Sequence, residues 1–300
     1  MADYKVKYST AREEKAFLTN RLIDMYTNIA LTRFKWSGLE KLGLDPLYIE
    51  KILFEQGRIG IFNDPTLSFI SLPVAQNRLK YNGAFYSWYP TGDVTGTVKI
   101  RSYSEKDSVL ILNNKLMQSN RPLVAYWCSK MSDAELTSSV ERMRIRLNAM
   151  LKIAGSNKTV ASLKAALQKL FDGETAIIAD ETVTDALTAE MPGQVGNCLA
   201  DIADDYNRYD AKILTYLGIN NVNVDKRERL VTDEAQGNNA EINANLAIGL
   251  ACRQAACLAF KKVFGLDISV SVNPLLAPSA EPSEPEQSEP ENGEEGESNE

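Results

Sequence analysis

Three aspartates, Asp201, Asp204 and Asp205, fall within about one helical turn, where hard carboxylate oxygens could gather around Mg2+ for phosphodiester cleavage. Arg208 and Lys212 follow on the same stretch, and a solvated helix face with Asp204 and Arg208 paired at i,i+4 accounts for these residues more simply. Histidine is absent from all 300 residues, which removes the commonest general acid/base and both the Ser-His and Cys-His nucleophile pairs. Cys128, Cys198, Cys252 and Cys257 form no CxxC pair and have no histidine to complete a metal shell, so buried, reduced thiols are expected. "KIAGSNKT", Lys152 to Thr159, is the nearest approach to a phosphate-binding GxxxxGK[ST] loop, and other residues stand at both of its glycine positions. No catalytic residue, metal ligand or cofactor is expected, and an enzyme is the weaker class.

A second stretch, "DKRERLVTDEAQGNNAEINAN", Asp225 to Asn245, sets a knot of charges before a segment rich in Gly, Asn and Gln. It then runs without a proline into a long helical pattern. Charge elsewhere is arranged differently. Residues 277–300 hold nine of the 40 acidic residues and none of the 33 basic ones, so the net charge of −7 belongs to this tail and the rest is close to neutral. A tight nucleic-acid binder would be strongly basic. The tail is Pro, Glu and Ser with almost no apolar residue, and is expected to be disordered. With no long apolar run and no signal-like N-terminus, a chain made in a cytoplasm, outside any membrane, is expected.

The elements that must position these residues are legible as periodicities. A Thr10-x-x-Glu13 capping box opens a helix reaching about Trp36, with Leu18, Leu22, Met25 and Ile29 on one stripe and enough further apolar positions to require burial on more than one side. Asp45 and Pro46 start a second helix that Gly57 ends in a left-handed cap. Strands are expected at Arg58 to Phe62 and Thr66 to Leu72, joined by Asn63-Asp64-Pro65, and at Thr97 to Tyr103 and Ser108 to Leu112, a hairpin around "SEKD". The aromatic segment between them, "YNGAFYSWYPTGD", reads as packing in an irregular β region rather than as a base-stacking platform.

Beyond Arg121-Pro122 the pattern is helical. Ser132-x-x-Glu135 reads as a capping box ahead of Leu136, Val140, Met143, Leu147 and Met150. From Val195 a heptad-like seam runs through Leu199, Ile202, Tyr206, Tyr209, Ile213 and Tyr216, with Asp201, Asp204, Asp205, Asp210, Arg208 and Lys212 on the opposite face. Two long helices with narrow seams and polar backs need sideways neighbours, as in a palisade. Residues 155–194 read as a small mixed insert, a helix rich in small residues runs from about Asn239 to Phe264, and Asp267 to Val272 is a closing strand.

In this order the segments resemble the upper collar proteins, the head–tail connectors or portals, of small short-tailed phages with protein-primed genomes. "YLGINNVNVDKRERLVTDEAQGNNAEI" with the closing "FGLDISVSV" carries most of the resemblance, supported by "DPLYIEKILFEQGRIGIFNDPTLSFI" and "KIRSYSEKDSVLILNN". The resemblance implies an α+β, mainly α portal fold with long stem helices, a β-containing wing and a small clip. Residues 1–131 would be the N-terminal wing, 132–154 the first stem helix, 155–194 the clip and 195–218 the second stem helix. Residues 219–246 would be the tunnel loop and its base, 247–276 the C-terminal wing helix and strand, and 277–300 the tail.

It further implies a twelve-subunit ring in the virion's portal vertex, passing double-stranded viral DNA and meeting a packaging ATPase, capsid and scaffolding proteins, and a lower collar or tail protein. Lys226, Arg227, Glu228 and Arg229 would anchor the tunnel loop. Thr232 to Asn243, including Asp233, Glu234, Gln236, Gly237, Asn238 and Asn239, would be its mobile part, and the second stem helix would turn Asp201, Asp204, Asp205, Arg208 and Lys212 to the channel. The basic N-terminus with which family members hold a packaging RNA is replaced here by a mixed "MADYKVKYSTAREEK", which speaks against such an RNA and leaves Lys5, Lys7 and Arg12 as its only candidate contacts. A metal-dependent DNA-processing enzyme using the Asp cluster, and a capsid or scaffold component without a channel, are the alternatives.

Overall fold

The computed structural model describes residues 11–65, 67–81, 85–91, 102–147, 150–153, 187–190, 198–221 and 232–276, and the structural statements below concern these residues. In chain order the elements are α1 (Ala11–Leu31), β1 (Phe34–Ser37), α2 (Pro46–Gln56), β2 (Arg58–Asp64), β3 (Ser68–Leu79), β4 (Phe85–Pro90), β5 (Ser108–Leu112), α3 (Arg121–Leu147), β6 (Met150–Ile153), β7 (Leu187–Glu190), α4 (Leu199–Leu217), α5 (Thr232–Phe264) and β8 (Ser269–Val272). The mixture is α+β and mainly helical, as expected.

Local signals are most faithful at α2. Asp45 accepts a hydrogen bond from Leu47 N–H at 2.9 Å, Pro46 occupies the first turn, and Gly57 ends the helix at φ 80° with its N–H on Leu53 O. Its apolar face (Ile49, Ile52, Leu53) lies in a core shared with β1, β2, β5, α5 and β8. The antiparallel sheet β4-β3-β2-β5 covers that core. The hairpin of β2 and β3 is present, but Ser108–Leu112 pairs with β2 (Ile59 opposite Ile111) rather than with Thr97–Tyr103. Tyr103 instead bridges to Trp88, residues 97–101 lie outside the described residues, and Ser104 and Asp107 close the intervening turn. In the aromatic segment Phe85 and Trp88 are buried while Tyr86 and Tyr89 are exposed, the alternation slipping between Ser87 and Trp88 opposite a register shift in β3.

Three helix limits differ from the sequence expectation. The first helix stops at Leu31, because Phe34 and Trp36 alternate with Lys35 and Ser37 and pair with Val272 and Val270 of β8. Within α1, Tyr26 and Ala30 are the buried positions, whereas Phe17 and Met25 remain exposed. The third helix starts at Arg121, not at a Ser132 cap. Ser132 is fully buried in the helix interior, donating to Cys128 O and accepting from Thr19 Oγ1, both at 2.9 Å. The residues that α3 buries are Val124, Cys128 and Met131, and Val140 of the expected stripe is 61% exposed. The helix also ends at Leu147, and Met150–Ile153, expected within it, is a strand paired with Leu187–Glu190. Residues 154–186, most of the expected insert, lie outside the described residues.

Helices α1, α3 and α4 form a second core from Tyr26, Ala30, Val124, Cys128, Met131, Ile213 and Leu217, with Phe54 reaching in from α2. Burial pushes the Cys128 thiol up to about 12, which keeps it protonated; Cys198, Cys252 and Cys257 are only half-buried, against expectation. Helix α4 is joined to α5 at Gly218, which has φ 71° and whose missing Cβ would lie 2.7 Å from Leu246 N. Asn245 reinforces the joint by donating to Thr215 O at 3.0 Å. A Cβ there meets backbone, which cannot swing aside, and the left-handed conformation adds its own strain. Gly218→Ala is expected to destabilise the fold by about 2 kcal/mol or more, read as a lowered denaturation midpoint with an unchanged slope.

Candidate functional site

The expected polar back of α4 exists. Asp201, Asp204, Asp205, Arg208 and Lys212 are all exposed, while Leu199, Ile202, Tyr206, Tyr209 and Tyr216 are half-buried and Ile213 is buried on the seam. Two details change. Arg208 pairs with Asp205 at 2.7 Å, three residues away, and not with Asp204. Asp210, expected on the polar back, turns inward and accepts a hydrogen bond from Tyr26 Oη; burial first, then this carboxylate, push the Tyr26 phenol up and keep it neutral. Among the described residues no three His, Cys, Asp or Glu side chains converge as metal ligands would. Arg208 and Lys212 border a shallow groove of about 580 Å3 whose far wall is Glu241 and Asn245 of α5, and both lie near the Tyr209 ring. The face offers two cations among acids.

The second expected site is divided. Lys226, Arg227, Glu228 and Arg229 fall outside the described residues, as do Lys5 and Lys7, while Arg12 is exposed on the first turn of α1. Thr232, Asp233, Glu234, Gln236, Gly237, Asn238 and Asn239, expected in a mobile loop, occupy the first turns of the 33-residue helix α5. Gly237 is exposed on this helix, with nothing within 4 Å of where a Cβ would be, so it serves no tight turn. A signal for this early start was present: Asp233 and Glu234 directly after Thr232 are first-turn residues favoured by the helix dipole.

Sequence reasoning missed a buried charge cluster between α2 and α5. Arg253 is 0% and Glu50 2% exposed. Arg253 grips the carboxylate with two hydrogen bonds, Nη2 to Oε2 at 2.6 Å and Nε to Oε1 at 2.8 Å. Trp36 Nε1 donates to the same Oε1 at 2.8 Å, and Arg253 Nη1 donates to Gly249 O at 3.0 Å. The Arg253 guanidinium stacks 4.1 Å from the Phe34 ring centroid. Arg33 approaches the same ring at 5.3 Å and donates to Ala30 O at 3.0 Å and Leu217 O at 2.7 Å. The available signals were Glu50 set among Ile49, Ile52 and Leu53, and Arg253 inside an alanine-rich run, each a charge on an apolar face.

The Phage Connector (GP10) family model matches residues 4–276. Among solved structures the chain is similar to one from the portal and tail of native bacteriophage P68, with 16% identity, 88% of each chain covered and a TM-score of 0.49. It is also similar to an HK97 family phage portal protein from Corynebacterium diphtheriae, with 10% identity, 88% of this chain and 95% of that one covered, and a TM-score of 0.46.

Three substitutions test the site's construction. Glu50→Gln strands a buried guanidinium and is expected to cost about 3–5 kcal/mol. Combining it with Arg253→Met should recover part of that loss in equilibrium unfolding. Gly237→Ala is expected to raise stability by about 0.5–1 kcal/mol, the helix-propensity gain, with a small rise in helical circular dichroism; a loop at this position would give no helical gain.

Proposed function

The chain belongs to the phage connector family, and from that membership we propose that it is a portal protein, a structural ring at one vertex of a phage capsid. The observation that carries this reading is the extent of the family match, residues 4–276, which spans both helical layers and the sheet. On this reading twelve copies close a ring that passes double-stranded DNA in during packaging and out at ejection. The ring docks a packaging ATPase, is built into the shell with capsid and scaffolding proteins, and receives a lower collar or tail protein. It is not an enzyme.

The physical features fit such a conduit. Duplex DNA carries one charge per roughly 1.7 Å of axis, so a wall dense in Lys and Arg would hold it by counterion release. The α4 face carries Asp201, Asp204 and Asp205 with Arg208 and Lys212, and in a ring each becomes a circle of like charges. Mostly acidic circles repel the backbone, and the two cationic ones give it footholds. The charged knot at Lys226, Arg227 and Arg229 lies just before α5 in the chain, and we assign it to the same channel, together with the first turns of α5 from Thr232 to Asn239.

Native mass checks the assembly: twelve 33.2 kDa chains give about 400 kDa, with an axial opening in averaged electron-microscope views. A folded monomer or dimer would refute the ring. Arg208→Ala with Lys212→Ala is expected to leave the ring intact and to lower the amount of DNA retained in filled heads, with the difference from wild type largest at low salt and shrinking as salt is raised. Unchanged retention would remove these residues from the channel. Mg2+-dependent DNA cleavage by the purified protein, lost in Asp204→Ala, would favour the enzyme alternative instead.

A further inference from the structure

Two cations, Arg33 and Lys115, line a pocket of about 300 Å3 that opens to the surface beside α4, α5 and the loop after β5. Arg33 is buried and fixed by its hydrogen bonds to Ala30 O and Leu217 O, whereas Lys115 is exposed. Among the described residues neither cation has a carboxylate partner, Glu50 being taken by Arg253. The amide side chains of Asn113, Asn114, Gln118, Asn120 and Asn245 make up most of the remaining wall, and no lining residue is acidic. A polar, amide-lined opening with a net positive charge suits an acidic peptide, which brings carboxylates for the cations and a backbone for the amides.

The chain carries such a peptide to this place. Asn273 donates from its N–H to Arg33 O and from Nδ2 to Thr32 O, both at 2.8 Å. Three residues on, Leu276 O accepts from Asn220 N–H at 3.3 Å, and Asn220 lies three positions after Leu217, whose carbonyl holds the Arg33 guanidinium. Leu276 is the last described residue, and residues 277–300 follow it with nine glutamates and no Lys or Arg. Glu281, five residues past Leu276, lies within about 17 Å of it even at full extension, and further glutamates follow. Residues 222–231, also outside the described residues, leave from the adjoining Asn221, but bring Lys226, Arg227 and Arg229 against only Asp225 and Glu228. Charge therefore selects 277–300.

We propose that the acidic segment 277–300 folds back on its own chain and sets glutamates in the Arg33–Lys115 pocket, with Lys115 as the direct partner and Arg33 as the fixed charge behind it. The segment is then a strap that ties the C-terminal end to the loop after β5 and closes the pocket to other anions, phosphate groups included. It is a property of the single chain and holds whether or not a ring forms.

The full chain is treated with a carbodiimide, which joins a carboxylate to an amine in contact with it, and the amides are mapped by mass spectrometry. A link from Lys115 to a glutamate of 281–300 is expected, in clear excess over links to Lys35. Lys35 is the control because it is exposed and pairs with Ser271 close to where the segment leaves. Equal yields at the two lysines would mean a tail that only sweeps its surroundings, and would overturn the proposal. Co-producing a Lys115→Met chain with one whose nine tail glutamates are glutamines leaves only links between chains possible; a Lys115 link in that mixture would assign the carboxylate to a second copy and overturn folding back in cis. A labelled peptide of residues 277–300 is also titrated into the full chain carrying the nine Glu→Gln changes. Adding Lys115→Glu, an exposed position whose change leaves the fold intact, is expected to weaken this binding about tenfold or more. Unaltered affinity would place the peptide elsewhere and reject the pocket.

Discussion

The buried pair of Glu50 and Arg253 is the constraint around which the other elements are placed. Both charges are withdrawn from water, at a desolvation cost of several kcal/mol per ion, so the arrangement persists only because the geometry is nearly saturated. Glu50 Oε1 receives two donors and Oε2 a third, while Arg253 also reaches Gly249 O and lies over the Phe34 ring. Those partners come from α2, β1 and α5, and Glu50 and Arg253 are 203 positions apart in the chain. Apolar packing alone tolerates sliding of one element over another. A bidentate guanidinium with a defined plane does not, so the pair fixes the rotation of α5 about its axis and the angle at which α2 meets it.

That fixed rotation carries outward to the surfaces with functional consequences. Once Arg253 points inward, Ala251 and Ala255 must face away from the core, and Leu246 must meet Gly218 at the end of α4. The joint with Gly218 then sets where the C-terminal end of α4 meets α5. Tyr26 sets the roll of α4 by binding Asp210 from the other side. With Asp210 drawn inward, Asp201, Asp204, Asp205, Arg208 and Lys212 are left as the solvent face. The polar back of α4 is thus a product of two buried polar contacts as much as of its own heptad seam.

How much of this was legible in the sequence depended on range. The ends of α2 were readable because Asp45, Pro46 and Gly57 act within a few residues of themselves. The seam of α4 was readable because Leu199, Ile202, Tyr206, Tyr209, Ile213 and Tyr216 repeat without interruption; Val195, expected to open it, lies outside the described residues. The end of α1 was not, since Phe34–Ser37 is a strand only by virtue of β8, more than 230 residues away. Ser132 misled for a different reason: Ser-x-x-Glu marks a helix start only when the serine is outside the helix, and here its hydroxyl back-bonds to Cys128 O. Thr232 to Asn239 misled through composition, because Gly and Asn lower helix propensity without forbidding a helix that continues from a well-packed one. Of the candidate site residues, those on the α4 back are exposed as expected, Asp210 was assigned the wrong side, and Glu50, Arg253 and Arg33 left only the faint mark of a charge on an apolar face.

The same helix therefore carries the interior anchor and the open apolar face, with Arg253 and Ala251 two residues apart on opposite sides. A helix held by hydrogen bonds to α2, to α4 and to Asn113 beyond β5 cannot rotate to suit an incoming surface, because closely packed interiors respond to displacement by breaking contacts rather than by flowing. On the proposed ring, each neighbour must then fit the subunit as it stands, and assembly proceeds by docking of preformed subunits rather than by folding on contact. Arg33 fits that logic. It sits between the two cores, held by Ala30 of α1 and Leu217 of α4, with Phe34 between it and Arg253.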